Sequence, residues 1–398
     1  MLNKAGNVKI EIFNITGQCI CTLIHEYRTA GTHSVVWDAL DDKGARVGAG
    51  VYLYRLHADG KSDTKKMMLL DGGSGASSTG GGSFSMSALK KSAKTSSTTW
   101  NVEIKGDEIK TYTESNLILA DGETYDFVVI RLPAITFVSI PGGTFQMGDE
   151  ENIWDWCLPV HTVTVSGFEM GVYEITNAQY CAYLNATLAS GDITPSSTSV
   201  KGAKGAYSGQ EYIYLSGYYS GYPDARCWIK YAGGTFTVET GKESYPVVFV
   251  TWYGSKAFSE WYGLDLPREA EWEYACRGGR QYMYGTDDGT ISTSKANYWD
   301  TGIEHPVDVK SFPKNPFGLY DMSGNVWEWC ADWYGSYPSG SVANPTGAQT
   351  GSSRVGRGGS WGYAGIGCRA ARRDDDDPGD GSHYVGFRVV RRASPQNY

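Results

Sequence analysis

The sequence lacks the features that mark disulfide scaffolds, structural zinc modules and membrane proteins. It has eight cysteines in 398 residues, and no two of them form a CxxC pair. This argues against a disulfide framework and against a structural zinc site. No apolar run approaches the roughly 20 residues that a membrane-spanning helix needs. The first residues, MLNKAGNVKIEIF, lack the apolar core of a signal peptide, and they assign no compartment.

An excess of positive charge is also missing. Lysine and arginine total 35 against 44 acidic residues, which gives a formal net charge of -9. This balance argues against nucleic acid or an anionic membrane as the main partner. The six histidines are scattered, so they indicate no Ser–His–Asp arrangement, and no Gly-rich phosphate loop precedes a predicted helix.

Glycine and aromatic residues are abundant instead. The chain has 51 Gly and 28 Tyr, and aromatics make up 13% of it. This composition is typical of a loop-rich, β-leaning globular protein, and the length predicts two or three domains. We expect a small all-β domain over residues 1–71, a Gly/Ser-rich linker over 72–99, a short β segment over 100–136 and a large α+β domain over 137–393.

The pattern of the first 70 residues predicts short strands separated by polar turns. Apolar and polar residues alternate from Val8 to Ile12, as in a half-buried strand. Repeated strand signals at this spacing predict a small β-sandwich. The segments VKIEIFNITGQ, HSVVWDALDDKGARVGAGVYLYRL and TKKMMLL resemble the immunoglobulin-like module of the flagellar hook-capping protein. The resemblance implies an immunoglobulin-like sandwich that serves as a spacer or docking module.

From residue 137 onward, short strands and amphipathic helices follow one another. Thr176 is a plausible N-cap for a helix that places Tyr180, Tyr183 and Leu184 on one face. A second helix, through Ala257 and Trp261, is expected after the segment PVVFVTW (246–252), and a third is expected with Pro267 near its first turn. Residues 190–244 are rich in Gly, Ser and Tyr, which predicts a loop insertion with short strands.

The C-terminal stretch 357–392 consists of a regular frame and an irregular filling. We expect the large apolar frame residues Trp361, Cys368 and Phe387 to be buried, together with the Trp327/Trp329 pair. The filling shows neither helix nor strand periodicity, and the run Asp374–Asp377 is expected to be solvated. Exposed filling on a scaffold favours a ligand-binding face. Its residues are Gly362, Tyr363, Gly365, Ile366, Gly367, Arg373, Asp374, Asp375, Asp376, Asp377, Gly379, Asp380, Gly381, Ser382, His383 and Tyr384.

A set of motifs over residues 137–392 resembles one known family. The sequence resembles the formylglycine-generating enzyme family, also called the sulfatase-modifying-factor domain. The motifs are, in order, IPGGTFQMG, YEITNAQY, PVVFVTW, LPREAEWEYACRGG, NPFGLYDMSGNVWEWCADWY and RGGSW…CRAA…GFRVVRR. The resemblance implies an α+β C-type-lectin-like domain.

The enzymes of this family oxidise a substrate cysteine with copper held by two thiolates, ligands that suit Cu(I). In the family both cysteines lie shortly after the GGS-aromatic motif, just before the CRAA stretch. The corresponding interval here, 362–367, contains no cysteine. Cys368 matches the family's structural cysteine instead. A copper-dependent oxidase is therefore disfavoured, and it is kept as an alternative together with an inactive structural surface module.

The order GGSW, variable loop, CRAA, variable loop, GFR resembles the variable protein of a diversity-generating retroelement. Such elements mutate adenines, mostly in AAC codons, and so diversify the surface loops of a lectin-like domain. A randomised NNC codon cannot encode Lys, Glu, Gln, Met or Trp, and none of these occurs in the filling. The resemblance implies a non-catalytic binder with a hypervariable face, displayed at the cell surface or secreted, for an unknown protein or surface ligand.

Two further segments match calcium-binding regions of the enzyme family. One contains Asn297 and Tyr298, and the other contains Asn325 and Glu328. Amide, backbone and carboxylate oxygens suit a hard cation. The resemblance implies a possible structural calcium and no required cofactor. The alternative is that these polar groups fix the core loop by hydrogen bonds.

Overall fold

A computed structural model describes residues 135–392 without interruption. It also describes most of 6–69 and the segments 82–87, 99–106 and 109–118. The chain divides into two compact units, Met1–Ala134 and Ile135–Tyr398. Among the described residues, no helix has the length and apolar character needed to cross a membrane.

The described residues of the N-terminal unit form two antiparallel sheets of four strands, with the orders β2-β1-β4-β5 and β3-β6-β7-β8. In β1, Val8 and Ile12 are buried, as their alternation predicts. The all-β prediction for this unit is confirmed. Its strands are β1 (Gly6–Asn14), β2 (Cys19–Arg28), β3 (His33–Trp37), β4 (Gly50–Ala58), β5 (Lys61–Leu69), β6 (Gly82–Ser87), β7 (Thr99–Gly106) and β8 (Ile109–Ile118).

One strand lies inside the segment that we expected to be a linker. Strand β6 belongs to residues 72–99, and it pairs with β3 on one side and β7 on the other. The second sheet therefore joins the expected domain 1–71 to the expected segment 100–136. Serine and glycine do not prevent strand formation where neighbouring strands supply hydrogen-bond partners.

The C-terminal unit contains short strands grouped in small sheets and three helices. The helices are α1 (Asn177–Ala189), α2 (Trp252–Trp261) and α3 (Glu269–Cys276). The strands are β9 (Phe137–Ile140), β10 (Gly143–Met147), β11 (His161–Val165), β12 (Phe168–Gly171), β13 (Ile193–Pro195), β14 (Ser199–Gly202), β15 (Glu211–Tyr214), β16 (Tyr218–Tyr219), β17 (Tyr222–Arg226), β18 (Ile229–Ala232), β19 (Thr235–Val238), β20 (Trp327–Trp333), β21 (Val342–Ala343), β22 (Arg354–Arg357), β23 (Arg373–Asp376), β24 (Val385–Gly386) and β25 (Val390–Arg391).

Local sequence signals set the helix starts. Thr176 caps α1, and Gln179 completes a capping box with it, so the predicted N-cap is confirmed. Thr251 caps α2 by accepting a hydrogen bond from the backbone N–H of Gly254. Helix α3 begins at Glu269 with Arg268 as its N-cap, so Pro267 lies two residues before the helix, near its first turn as expected.

The C-terminal frame is built on a four-stranded sheet with the order β23-β22-β20-β24. Helix α3 packs against this sheet, and Trp272 and Val355 lie fully buried in the core between them. Three residues of the aspartate run, Asp374 to Asp376, lie in edge strand β23, with Asp374 opposite Gly356. Residues Gly365–Cys368 form a 3-10 helix. The expectation that the filling lacks regular structure is therefore wrong for these two segments.

Candidate ligand-binding face

The frame of the C-terminal stretch is buried, as predicted. Trp361 is 2% exposed, and Cys368 and Phe387 are 0% exposed. Trp327 and Trp329 are also buried, at 2% and 1%. These large apolar side chains anchor both ends of each variable loop in the core.

Main-chain carbonyls of the filling, and of Pro378 between two filling segments, hold the loops in place. Each of these carbonyls accepts a hydrogen bond from a backbone N–H of the frame or of a neighbouring element. Because the contacts use main-chain atoms, they do not depend on the side chain at the accepting position. The pairs are Trp327 N–H to Tyr384 O at 2.7 Å, Phe249 N–H to Ser382 O at 2.9 Å, Trp252 N–H to Pro378 O at 3.1 Å and Trp299 N–H to Tyr363 O at 2.9 Å.

The filling residues differ in exposure. Ile366 has 49% of its surface exposed, a large fraction for an isoleucine. The other exposed residues are Gly362, Asp375, Asp377 and Asp380. The half-buried ones are Tyr363, Gly365, Asp374, Asp376, Gly379, Gly381, Ser382, His383 and Tyr384. Gly367 and Arg373 are buried.

Arg373 does not belong to the exposed face. Its guanidinium donates to both carboxylate oxygens of Glu269, at 2.8 and 2.7 Å. It also donates to the carbonyl of Gly335 and lies 4.2 Å from the ring centroids of Tyr334 and Tyr337. The prediction that Arg373 contacts a ligand is therefore wrong: the arginine pairs with a buried carboxylate beneath the sheet.

Two glycines are required by close backbone contacts. Gly359 has φ +73°, and a Cβ there would lie 2.7 Å from the carbonyl oxygen of Gly367 and 2.7 Å from Cys368 Sγ. A Cβ on Gly381 would lie 2.5 Å from the carbonyl oxygen of Phe249. Real Cβ atoms do not approach other atoms so closely. Gly381 was expected to be variable, but its backbone contact leaves no room for another side chain.

Rings from the insertion and from the C-terminal loops form a continuous series, which we call the aromatic row. Tyr222 stacks on Tyr219 with centroids 5.1 Å apart, and Tyr219 stacks on His383 at 3.8 Å. His383 contacts Tyr384 at 4.5 Å, and Tyr384 contacts Tyr363 at 5.8 Å. Tyr219 and Tyr222 were not among the residues predicted for the site. The only signal was the Tyr-rich composition of the insertion.

Burial shifts the pKa values of several titratable groups of the face. It raises the pKa of Asp376 to about 6, helped by the negative charges of Asp374 and Asp380. Burial also raises the pKa of Asp374. The pKa of His383 is lowered to about 4 by burial, so its ring is neutral at pH 7. The face therefore presents neutral rings beside half-buried carboxylates.

The side chains expected to bind calcium are engaged with each other and with an arginine. Glu328 is fully buried and receives hydrogen bonds from Arg388 at 2.6 and 2.7 Å and from Trp272 Nε1 at 2.8 Å. The Asn325 amide donates to Glu174 at 3.0 Å, and its oxygen accepts from the Val307 N–H at 3.0 Å.

In the other segment, the Asn297 amide donates to the His305 carbonyl at 2.9 Å, while Tyr298 is buried against Ala296 and Cys368. The guanidinium of Arg388 already neutralises the carboxylate of Glu328, so the Asn325 and Glu328 pair does not fit a cation. Within the residues that the structure describes, no three His, Cys, Asp or Glu side chains converge in a metal-binding arrangement.

The cysteines of the C-terminal unit are buried thiols. Cys157, Cys181, Cys227, Cys276, Cys330 and Cys368 are all buried and free. Burial raises the pKa of Cys368 to about 12, so it carries no thiolate at pH 7. Its Sγ contacts the carbonyls of Ser360 and Ala364 at 3.9 Å, which is a structural environment.

The fold, the buried frame and the motif order define a C-type-lectin-like domain, and comparison with known families specifies it further. The model of the sulfatase-modifying factor enzyme 1-like domain matches residues 130–393, and the FlgD Ig-like domain matches residues 1–62. The chain belongs to the sulfatase-modifying factor enzyme 1-like family, and its N-terminal unit matches an immunoglobulin-like module.

Two curated relatives illustrate the family's range. The formylglycine-generating enzyme of Streptomyces coelicolor is 34% identical over 288 residues, which cover 64% of this chain and 89% of the enzyme. The serine/threonine-protein kinase pkn1 of Chlamydia pneumoniae is 36% identical over 264 residues, which cover 65% of this chain. The matched region spans only 38% of that kinase's length.

Among solved structures, the chain is similar to Treponema denticola variable protein 1. The two are 23% identical with a TM-score of 0.48, over 65% of this chain and 95% of the other.

Proposed function

We propose that this chain is a non-catalytic binding protein, and that loops within residues 357–392 form a diversified ligand face. The observation that carries the proposal is the way the loops are held. Main-chain carbonyls at Tyr363, Pro378, Ser382 and Tyr384 anchor them, while the side chain of Ile366 is 49% exposed. Such an arrangement allows side chains to change without loss of the loop framework.

The chemistry of the face suits recognition. Tyrosine offers a large contact area at low cost in conformational entropy, and aspartate and serine supply adaptable polar contacts. The aromatic row provides five neighbouring rings, and Asp375, Asp377 and Asp380 add exposed carboxylates. Recognition surfaces in general draw their energy from such rings.

The residues of this chain give little support to a copper-dependent cysteine oxidase. Copper-based oxidation in the family needs two thiolates, and the interval 362–367 has none. The neighbouring thiol, Cys368, is fully buried with its pKa raised to about 12. The 34% identity to a formylglycine-generating enzyme keeps the oxidase as the second candidate.

Two libraries test the proposal by tolerance to replacement. The first randomises the exposed positions Ile366, Asp375 and Asp380 together. Most members should express in soluble form with melting temperatures close to that of the parent, because exposed side chains without shared partners contribute nearly independently. A control library randomises buried Arg373 with Gly381, and most of its members should misfold. Misfolding of most of the first library would refute the proposal.

Two further measurements separate the binder from the oxidase. Copper-supplied protein should form no formylglycine on a peptide containing CxPxR, and turnover would overturn the proposal. A diversified binder should also lie near a reverse transcriptase gene and a near-copy of its own 3′ coding end that differs at adenines. Absence of both from the genomic neighbourhood would count against diversification.

A further inference from the structure

Hairpin β16–β17 brings a second set of rings to the C-terminal loops. Tyr218 is 72% exposed and Tyr219 is 42% exposed, both high values for tyrosine. Tyr219 lies parallel to His383, with an interplanar angle of 11°. Tyr222 also contacts Trp361 at 5.7 Å. The hairpin therefore continues the loop surface with rings from outside the C-terminal stretch.

The base of this hairpin is held in place independently of the loops' side chains. The N–H of Cys227 donates to the carbonyl of Gly217 at 2.9 Å, which closes the hairpin base. Gly217 packs so closely on Phe249 that a Cβ there would lie 2.3 Å from the ring. Phe249 adopts φ 60°, a conformation rare for phenylalanine. Phe249 also donates its N–H to Ser382 O, so one residue positions both the hairpin and the loop.

Carboxylates lie near Tyr363 and Tyr384, which form the loop end of the aromatic row. Asp374 and Asp376 are alternate residues of β23 and so point to the same side of the strand. Their charges act on Tyr363 and Tyr384, whose pKa values are raised by burial first and by these carboxylates in addition. Rings beside carboxylates form an environment that attracts cations.

The arginines close to this surface do not neutralise it. Arg372 pairs with Asp374 at 3.8 Å, a loose contact. Arg354 lies opposite Asp376 in the sheet, but its guanidinium stacks between Trp252 and Trp333 and donates to a backbone carbonyl. Arg226 of the hairpin is paired with Glu239 at 2.9 Å. The carboxylates around the row therefore exceed the arginines that pair with them.

We infer that Tyr218, Tyr219 and Tyr222 form a constant half of the ligand surface, and that the ligand is a protein segment presenting lysine or arginine side chains. The inference rests on the proposed function and makes it more specific. The rings of the hairpin would contact every ligand, while the loops select among them. Neutral rings and nearby carboxylates complement a basic segment by cation–π and ionic attraction.

A random linear peptide library displayed on phage is the probe, selected on the full-length chain. Selected peptides should be enriched in Lys and Arg. Synthetic versions, measured by fluorescence anisotropy, should lose about tenfold in affinity against Tyr219→Ser, the size expected for loss of one ring contact with a cation. The double variant Asp374→Asn/Asp376→Asn should also bind more weakly and show a smaller salt dependence than the parent. Tyr231→Ser is the control, because Tyr231 packs on Phe236 outside the row.

The outcomes separate the inference from the proposed function. Selection of acidic or purely apolar peptides would overturn the inference. Equal binding by the parent and Tyr219→Ser would also overturn it, even if loop substitutions at Tyr363 and Ile366 abolish binding, and the proposed function would then stand. Unchanged melting temperatures of the variants exclude misfolding as the cause of a loss. The proposed function is judged separately by the two tolerance libraries.

Discussion

Arg373 and Asp375 lie two residues apart in one short strand, yet their substitution should have opposite consequences. Arg373 is 2% exposed, and its guanidinium binds Glu269 through two hydrogen bonds. Replacing it with methionine leaves Glu269 buried without its main partner. Breaking a buried pair from one side costs about 3–5 kcal/mol. Glu269 keeps the Tyr337 hydroxyl at 3.0 Å and Arg357 at 3.8 Å, so the lower end, about 3 kcal/mol, is expected.

Asp375→Asn is the matched control, because that side chain is exposed and should cost less than about 0.5 kcal/mol. Urea denaturation gives the free energy of unfolding of each variant, and thermal melting should show a drop of about 10 °C for Arg373→Met only. The double variant Arg373→Met/Glu269→Leu should recover part of the loss, since it leaves no unpaired charge. If Arg373→Met and Asp375→Asn unfold at the same urea concentration, the assignment of Arg373 to the core is refuted.

Three further predictions concern the frame, calcium and pH. Trp361→Ala should lower the free energy of unfolding by about 3–5 kcal/mol, against less than about 0.5 kcal/mol for Ile366→Ala, and equal losses in urea titrations would contradict a buried frame. Excess chelator should leave the melting temperature unchanged, because Arg388 already neutralises Glu328; a clear drop would restore the calcium site. The pKa of Asp332 is raised to about 7 by burial and by Glu269, so the folded state holds this proton more tightly than the unfolded state. The resulting stability is complete below pH about 4 and is lost as pH rises through about 7. Asp332→Asn should remove this part of the pH profile, and an unchanged profile would show that Asp332 does not titrate there.

Local signals in the sequence were sufficient to predict the family and the helix cap at Thr176. They also predicted the burial of Trp361, Cys368 and Phe387. An N-cap depends on groups only three residues away, and large apolar side chains are buried in nearly any compact arrangement. The predicted boundaries between domain, linker and β segment in the N-terminal unit agree less well with the structure. Composition indicated a linker over 72–99, but pairing with β3 and β7 makes part of it a strand.

The order of apolar and irregular segments in the sequence predicts which residues of the C-terminal stretch form the frame and which form the loops. Which loop residues face outward depends on long-range packing in the folded chain. Arg373 and Glu269 are 104 positions apart, so no local pattern could show that the arginine points into the core. The stacking of Tyr219 on His383 likewise depends on the packing of an insertion against a distant loop. Contacts between distant segments are fixed by chain topology and side-chain packing, which residue spacing along the chain does not record.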